Sequence, residues 1–228
     1  MPIYNHPSWA AALDATGCSA IVDALSVPRL TKYGYEAAAQ NYEEAVALHA
    51  RNIVLSESLY PIFHLLEIVV RNQMHKAFTA KFGTPEWFNG AWVAQAECDK
   101  VSEARRKLVA RGRAFAPDDI IASVSFGFWC GLLDTRYEIN RSLWPSQVSV
   151  IVPSAPRILR SRKILSARME KARRLRNRIF HHEPISHWQD IQAQRDNLFE
   201  LLDWISPATR RHAEHLCRFR ATFAEQLA

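Results

Sequence analysis

No stretch of this 228-residue chain alternates apolar and polar residues as a half-buried strand must, and only seven glycines are available for tight turns. Runs rich in Ala, Glu and Leu take their place. Leu59, Ile62, Phe63, Leu66, Val69, Val70 and Ala77 form one stripe when the chain is drawn at 100° per residue. The fold class that follows is all-α. Prolines 2, 7 and 28 set apart residues 1–35 as an N-terminal extension with a short helical candidate at about 18–25, leaving 36–228 as the helical domain. Within it, one helix is predicted over 36–56 and a second over 58–82, with Ser58 as its cap and Pro61 in its first turn. A third spans about 91–111, bounded by Gly112. Pro117 opens another that reaches SFGFW (125–129), and 136–143 forms one more. After prolines 145, 153 and 156, a basic helix runs from about 156 to 182 and stops near Pro184. Ser186-His187-Trp188-Gln189 has the form of a capping box, and Ser206-Pro207 opens a last helix reaching about residue 226.

With 48% hydrophobic and 23% charged residues, the composition is that of a globular chain. Cysteines 18, 98, 130 and 217 have no paired spacing, which suits a reducing compartment. The N-terminus lacks the pattern of a signal peptide, and no stretch looks like the roughly 20 apolar residues of a membrane span. These features predict a soluble, cytoplasmic protein without membrane association.

The formal charge of +6 is unevenly spread. Ten Lys or Arg residues lie between Arg157 and Arg178, with Glu170 as the only acid. This is either a solvated basic face or a surface for phosphates. Leu165, Met169, Ala172 and Ile179 mark the apolar stripe of this helix, and Arg176 falls within it. A guanidinium carried toward a core needs a carboxylate, backbone carbonyls or a bound anion, and Glu67 and Glu183 are the candidate partners. Asn177 and His181 are one turn apart and can converge. On the preceding helix Glu67, Arg71 and His75 follow at four-residue steps, as ordinary helix-stabilising pairs or as a polar wall.

These residue types suit metal-free RNA cleavage. Histidine can take or give a proton near neutral pH, and arginine offers a fork of donors to phosphate oxygens. The products would be a 2′,3′-cyclic phosphate and a 5′-OH. No P-loop, G-x-G-x-x-G or G-x-S-x-G motif is present. His181, His182 and Glu183 diverge on a helix, and His212, His215 and Cys217 are explained by a helix surface, so no metal or other cofactor is expected. Two other readings stay open on the residues: a non-catalytic module binding RNA or a nucleotide, and a structural ion pair at Arg176 with SFGFW as core or dimer face.

RNRIFH (176–181), within RNRIFHHEPI, resembles the Arg–His motif of HEPN-superfamily ribonucleases, and in particular the Abi-like abortive-infection proteins. LSESLYPIFHLLEIVVRNQMHKAF (55–78), EWF (86–88) and SFGFW agree in kind and order, over roughly residues 36–205. Residues 1–35 and the final helix lie outside the resemblance, and Phe180 is bulkier than such proteins lead one to expect before HHEP. The resemblance implies a HEPN-like helical bundle with additional flanking helices, paired as a homodimer, and a metal-independent endoribonuclease of anti-phage defence or a toxin system. An antitoxin or regulatory partner fits that setting. It implies Arg176, Asn177 and His181 as catalytic residues, with Glu67, Arg71 and Asn72 lining or bracing the site; on the ribonuclease reading, His182, Glu183 and His75 support them. The RNA backbone would lie on Arg160, Arg162, Lys163, Arg168, Lys171, Arg173, Arg174 and Arg178. The alternative within the same family is a non-catalytic RNA- or nucleotide-binding HEPN module in a defence or regulatory complex.

Overall fold

A computed structural model describes residues 15–36, 39, 41–112 and 115–227. Prolines 2 and 7, read as part of the N-terminal extension, lie outside those residues. The described chain is all-α, without a strand. In order its helices are α1 (Ala15–Leu25), α2 (Val27–Leu30), α3 (Tyr42–Phe82), α4 (Gln95–Ala110), α5 (Pro117–Ser123) and α6 (Phe126–Gly131). Then come α7 (Arg136–Ile139), α8 (Val148–Ile151), α9 (Arg162–Phe180), α10 (Ile191–Ile205), α11 (Pro207–Leu216) and α12 (Phe219–Leu227), with short 3-10 turns at Thr31–Tyr33, Trp87–Asn89 and Arg157–Leu159.

Several expected boundaries move. The two helices predicted over 36–56 and 58–82 are one, and Pro61 lies inside it. Ser58 is not a cap: its hydroxyl donates back to the Leu55 carbonyl at 2.6 Å. Pro61 lacks the N–H that would meet the Glu57 carbonyl, yet Leu55, Leu59, Ile62, Phe63 and Leu66 are fully or almost fully buried on both sides of it. Burying each such side chain contributes about 1.5–3 kcal/mol, which outweighs one lost backbone bond. Ser186-His187-Trp188-Gln189 does not begin a helix; α10 begins at Ile191. The last predicted helix is broken at Cys217–Arg218 into α11 and α12. Contrary to the expectation that no segment has the make-up of a membrane span, α3 holds an 18-residue window apolar enough to cross a bilayer by length and composition, 39% of it buried. A core helix meets the same test.

The chain divides into two compact units. The first comprises the described residues of Met1–Tyr60, Leu175–Gln192 and Cys217–Ala228. Its core joins Cys18, Val22, Leu30, Tyr33, Tyr35, Ala45 and Val46, so the segment set apart as an extension shares a core with the start of α3. The second comprises Pro61–Arg174 and Ala193–Leu216. Its α3 segment stops at Gly83, whose φ of 69° is open to glycine without the crowding a Cβ would bring.

An aromatic cluster organises the second unit. Trp87, Phe88, Phe128, Trp129, Tyr137 and Trp144 are all buried, so the aromatic residues of EWF and SFGFW are core while Glu86 and Ser125 are exposed. The Trp87 ring lies 5.0 Å from Phe78 and 6.1 Å from Trp129. The polar edges of Trp144 and Tyr137 find partners, as burial demands. The Trp144 indole donates to the Leu132 carbonyl at 2.8 Å. The Tyr137 hydroxyl donates to the buried Glu97 carboxylate at 2.7 Å and accepts the Ala94 amide at 3.1 Å. The four cysteines are free thiols. Burial pushes the Cys130 thiol up to about 12, so it stays protonated and packs as an apolar group.

Removing the Tyr137 hydroxyl leaves Glu97 buried without its strongest neutral donor. Tyr137→Phe is expected to lower stability by about 1.5–3 kcal/mol in urea unfolding, the range for a hydrogen bond to a charged group.

Candidate functional site

In the first unit, the end of α9 brings Arg176, Asn177 and His181 onto one turn and its cap. The helix closes by a Schellman pattern: the Glu183 amide donates to the Arg178 carbonyl at 2.8 Å and the His182 amide to the Ile179 carbonyl at 3.0 Å. The pattern needs a left-handed residue, and His182 takes that place at φ 59°, where glycine is usual. The His181 amide still completes the helix by donating to the Asn177 carbonyl at 2.9 Å. Both histidine side chains are exposed, and Asn177 is half-buried.

Arg176 does not sit where the stripe predicted. Leu175 is fully buried, with Ala172 before it and Ile179 after it, and Arg176 lies half-buried beside them. The buried line bends toward Leu175 because leucine enters a core without a desolvation penalty. The Arg176 guanidinium lies 4.3 Å from the centroid of the Phe180 ring, a cation–π contact. The Tyr60 ring is 6.0 Å from Phe180. Glu183, named as a partner for Arg176, is 3.4 Å from Arg178.

The turn after α9 is held from two directions. Asn52, almost fully buried on α3, accepts the Ile185 amide at 2.7 Å and the Ser186 amide at 3.2 Å. Its amide group donates to the Tyr33 hydroxyl at 3.1 Å and reaches the Glu183 carbonyl at 3.5 Å. From α2, Arg29 donates to the His182 carbonyl at 2.7 Å. Tyr33 meets the His49 ring edge-on at 5.0 Å. Burial, with Arg29 adding to it, holds the His49 imidazole below its ordinary value of 6.5.

Asn52 and Arg29 belong to none of the sequence motifs. Asn52 had a signal: it replaces an apolar residue in the helical series Leu48, Leu55, Leu59. A polar group in such a series must find buried partners. Arg29 had none, since it sits on a one-turn helix far along the chain from the carbonyl it meets.

The remaining candidates, Arg178 apart, belong to the second unit. His75 is engaged at both nitrogens: the Trp87 indole donates to Nδ1 at 2.9 Å, and Nε2 lies 3.2 Å from Asp118. Arg71 donates to its neighbour Asn72 at 3.1 Å, and Glu67 is half-buried on the same helix. Among the basic residues, Arg162 is 9% exposed and pairs with Glu138 at 2.6 Å while donating to the Leu133 carbonyl. Arg168 pairs with Glu200 and lies over Trp204. Arg173 and Arg174 share Glu170, whose carboxyl they hold below its ordinary range. Arg160 donates to the Ala155 and Pro153 carbonyls. Lys163 and Lys171 are exposed and make no ion pair or hydrogen bond among the described residues. Arg178, in the first unit, lies over Trp188 as well as beside Glu183. Among the described residues no group of three or more His, Cys, Asp or Glu side chains could hold a metal ion.

Two expectations follow from this geometry. Asn52→Ala strands two backbone amides and is expected to lower stability by about 2–4 kcal/mol, read by chemical unfolding. A histidine held below its unfolded value favours the folded state fully above about pH 6.5, and that contribution is lost as pH falls. Wild type should therefore lose more in unfolding midpoint between pH 7.5 and 5.5 than His49→Gln does. No protein-family model, curated protein or solved structure matches this chain.

Proposed function

We propose that this chain is a metal-independent endoribonuclease, active in the cytoplasm as a homodimer and serving anti-phage defence or a toxin system. The observation that supports this reading is the grouping of Arg176, Asn177 and His181 at one helix end, with the histidine exposed on a backbone held by several hydrogen bonds. His181 takes the proton of a ribose 2′-OH. The 2′-oxygen attacks the neighbouring phosphorus, and the bond to the 5′-oxygen breaks. A protonated histidine, His182 or His181 of the second copy, gives the leaving oxygen its proton. Arg176 binds the non-bridging oxygens, where negative charge builds up, and Asn177 orients the phosphate or the ring. Glu183 steadies Arg178 next to the site. Lys163 and Lys171 are suited to the RNA backbone. An antitoxin or regulatory partner would restrain such an activity.

The test is incubation of the purified protein with mixed tRNA and a labelled single-stranded RNA in EDTA. Wild type should leave 2′,3′-cyclic phosphate ends. His181→Ala should lose at least about a hundredfold in rate, the scale of one acid–base group. Its circular dichroism should be unchanged, because the side chain is exposed. RNA binding without cutting, with or without added metal, would replace this reading by a non-catalytic RNA- or nucleotide-binding role.

A further inference from the structure

We propose that Arg29 is a positioning residue of the histidine turn, so that the segment before α3 sets the geometry of the site. This rests on the ribonuclease reading for its effect on rate, but the hold itself is independent of it. His182 is in the left-handed region at φ 59°, a conformation disfavoured for a residue with a Cβ. Such a residue stays there only where its surroundings over-determine it. On its far side, Asn52 fixes the Ile185 and Ser186 amides. On its near side, the Asn177 and Ile179 carbonyls accept the His181 and His182 amides. The His182 carbonyl would be left to water without Arg29, whose guanidinium meets it at 2.7 Å.

Arg29 is kept in place by its own unit. Its neighbour Leu30 is fully buried in the cluster with Cys18, Val22 and Tyr33. The guanidinium therefore reaches the turn from a packed base and not from a free arm. Fixing the carbonyl after His182 fixes the plane of that peptide, and with it the two-residue step that carries the His181 ring. A ring displaced by about 1 Å from the reacting proton can lose orders of magnitude in rate without any loss of binding. Arg29 does not touch the reacting atoms; it acts through the backbone.

The experiment uses the full chain with Arg29→Met and Arg29→Lys. Hydrogen–deuterium exchange is read over residues 177–186, and kcat and KM are read on the single-stranded RNA. Arg29→Met should raise exchange of the turn amides about tenfold, with the α3 and α4 amides unchanged. Its kcat should fall about tenfold while KM moves less than about twofold. Arg29→Lys, which keeps a donor for the carbonyl, should recover part of both and gives the same reading with a smaller change if the methionine variant does not fold. Unchanged exchange in both variants would overturn the proposal. So would a raised KM with kcat intact, which would make Arg29 a direct RNA contact. If wild type cuts no RNA but exchange at the turn still rises, the ribonuclease reading fails and the hold of Arg29 on the turn stands.

Discussion

A buried carboxamide has two lone pairs on its oxygen and two N–H groups, and each one left unmet in a core is costly. Asn52 meets that requirement almost entirely with main chain: two amides from Ile185 and Ser186 and the Glu183 carbonyl, together with the Tyr33 hydroxyl. One side chain thereby holds the exit from α9 against the start of α3. The non-helical path through Glu183, Pro184 and Ile185 follows from this, and so does the tight reversal before it, because the helix must end where the next amides are already claimed. His182 takes the left-handed place in that reversal although it is not glycine. The order of dependence runs from the core outward, and the exposed histidines come last in it.

The helical class was legible from the sequence because period and composition agree along most of its length. Boundaries set by backbone chemistry, such as Gly83, Gly112, Pro117 and Ser206-Pro207, were legible too. Boundaries at which burial or a distant hydrogen bond overrides the local signal were not. Pro61 looked like a helix start because local rules place proline there, yet the apolar series continues past it and burial dominates. Ser186-His187-Trp188-Gln189 had a capping pattern, but the Ser186 amide is taken by Asn52. The spacing of Asn177 and His181 was readable as one turn of helix. The position of Arg176 was not, since a wheel drawn on one fixed axis could not anticipate Leu175 turning inward.

The histidines divide by surroundings. His75 is wedged between an indole donor and a carboxylate, which makes Nδ1 the acceptor and leaves the proton on Nε2. It serves the aromatic core of its own unit. His49 is held below its ordinary value, first by burial and then by Arg29, and meets the Tyr33 ring edge-on. His181 and His182 are exposed at a helix end. The same residue type thus does three physical jobs, and only its neighbours tell them apart. EWF and SFGFW, which read as motif fragments, supply rings to a packed interior.

The formal charge of the basic helix overstates what it can exchange with solution. Arg162, Arg168, Arg173, Arg174 and Arg178 already face Glu138, Glu200, Glu170 and Glu183. A cation paired in this way holds few condensed counterions and takes the place of few on a polyanion. The dependence of polyanion affinity on ionic strength would then report a handful of sites, Lys163 and Lys171 among them, and not the ten basic residues written in the sequence.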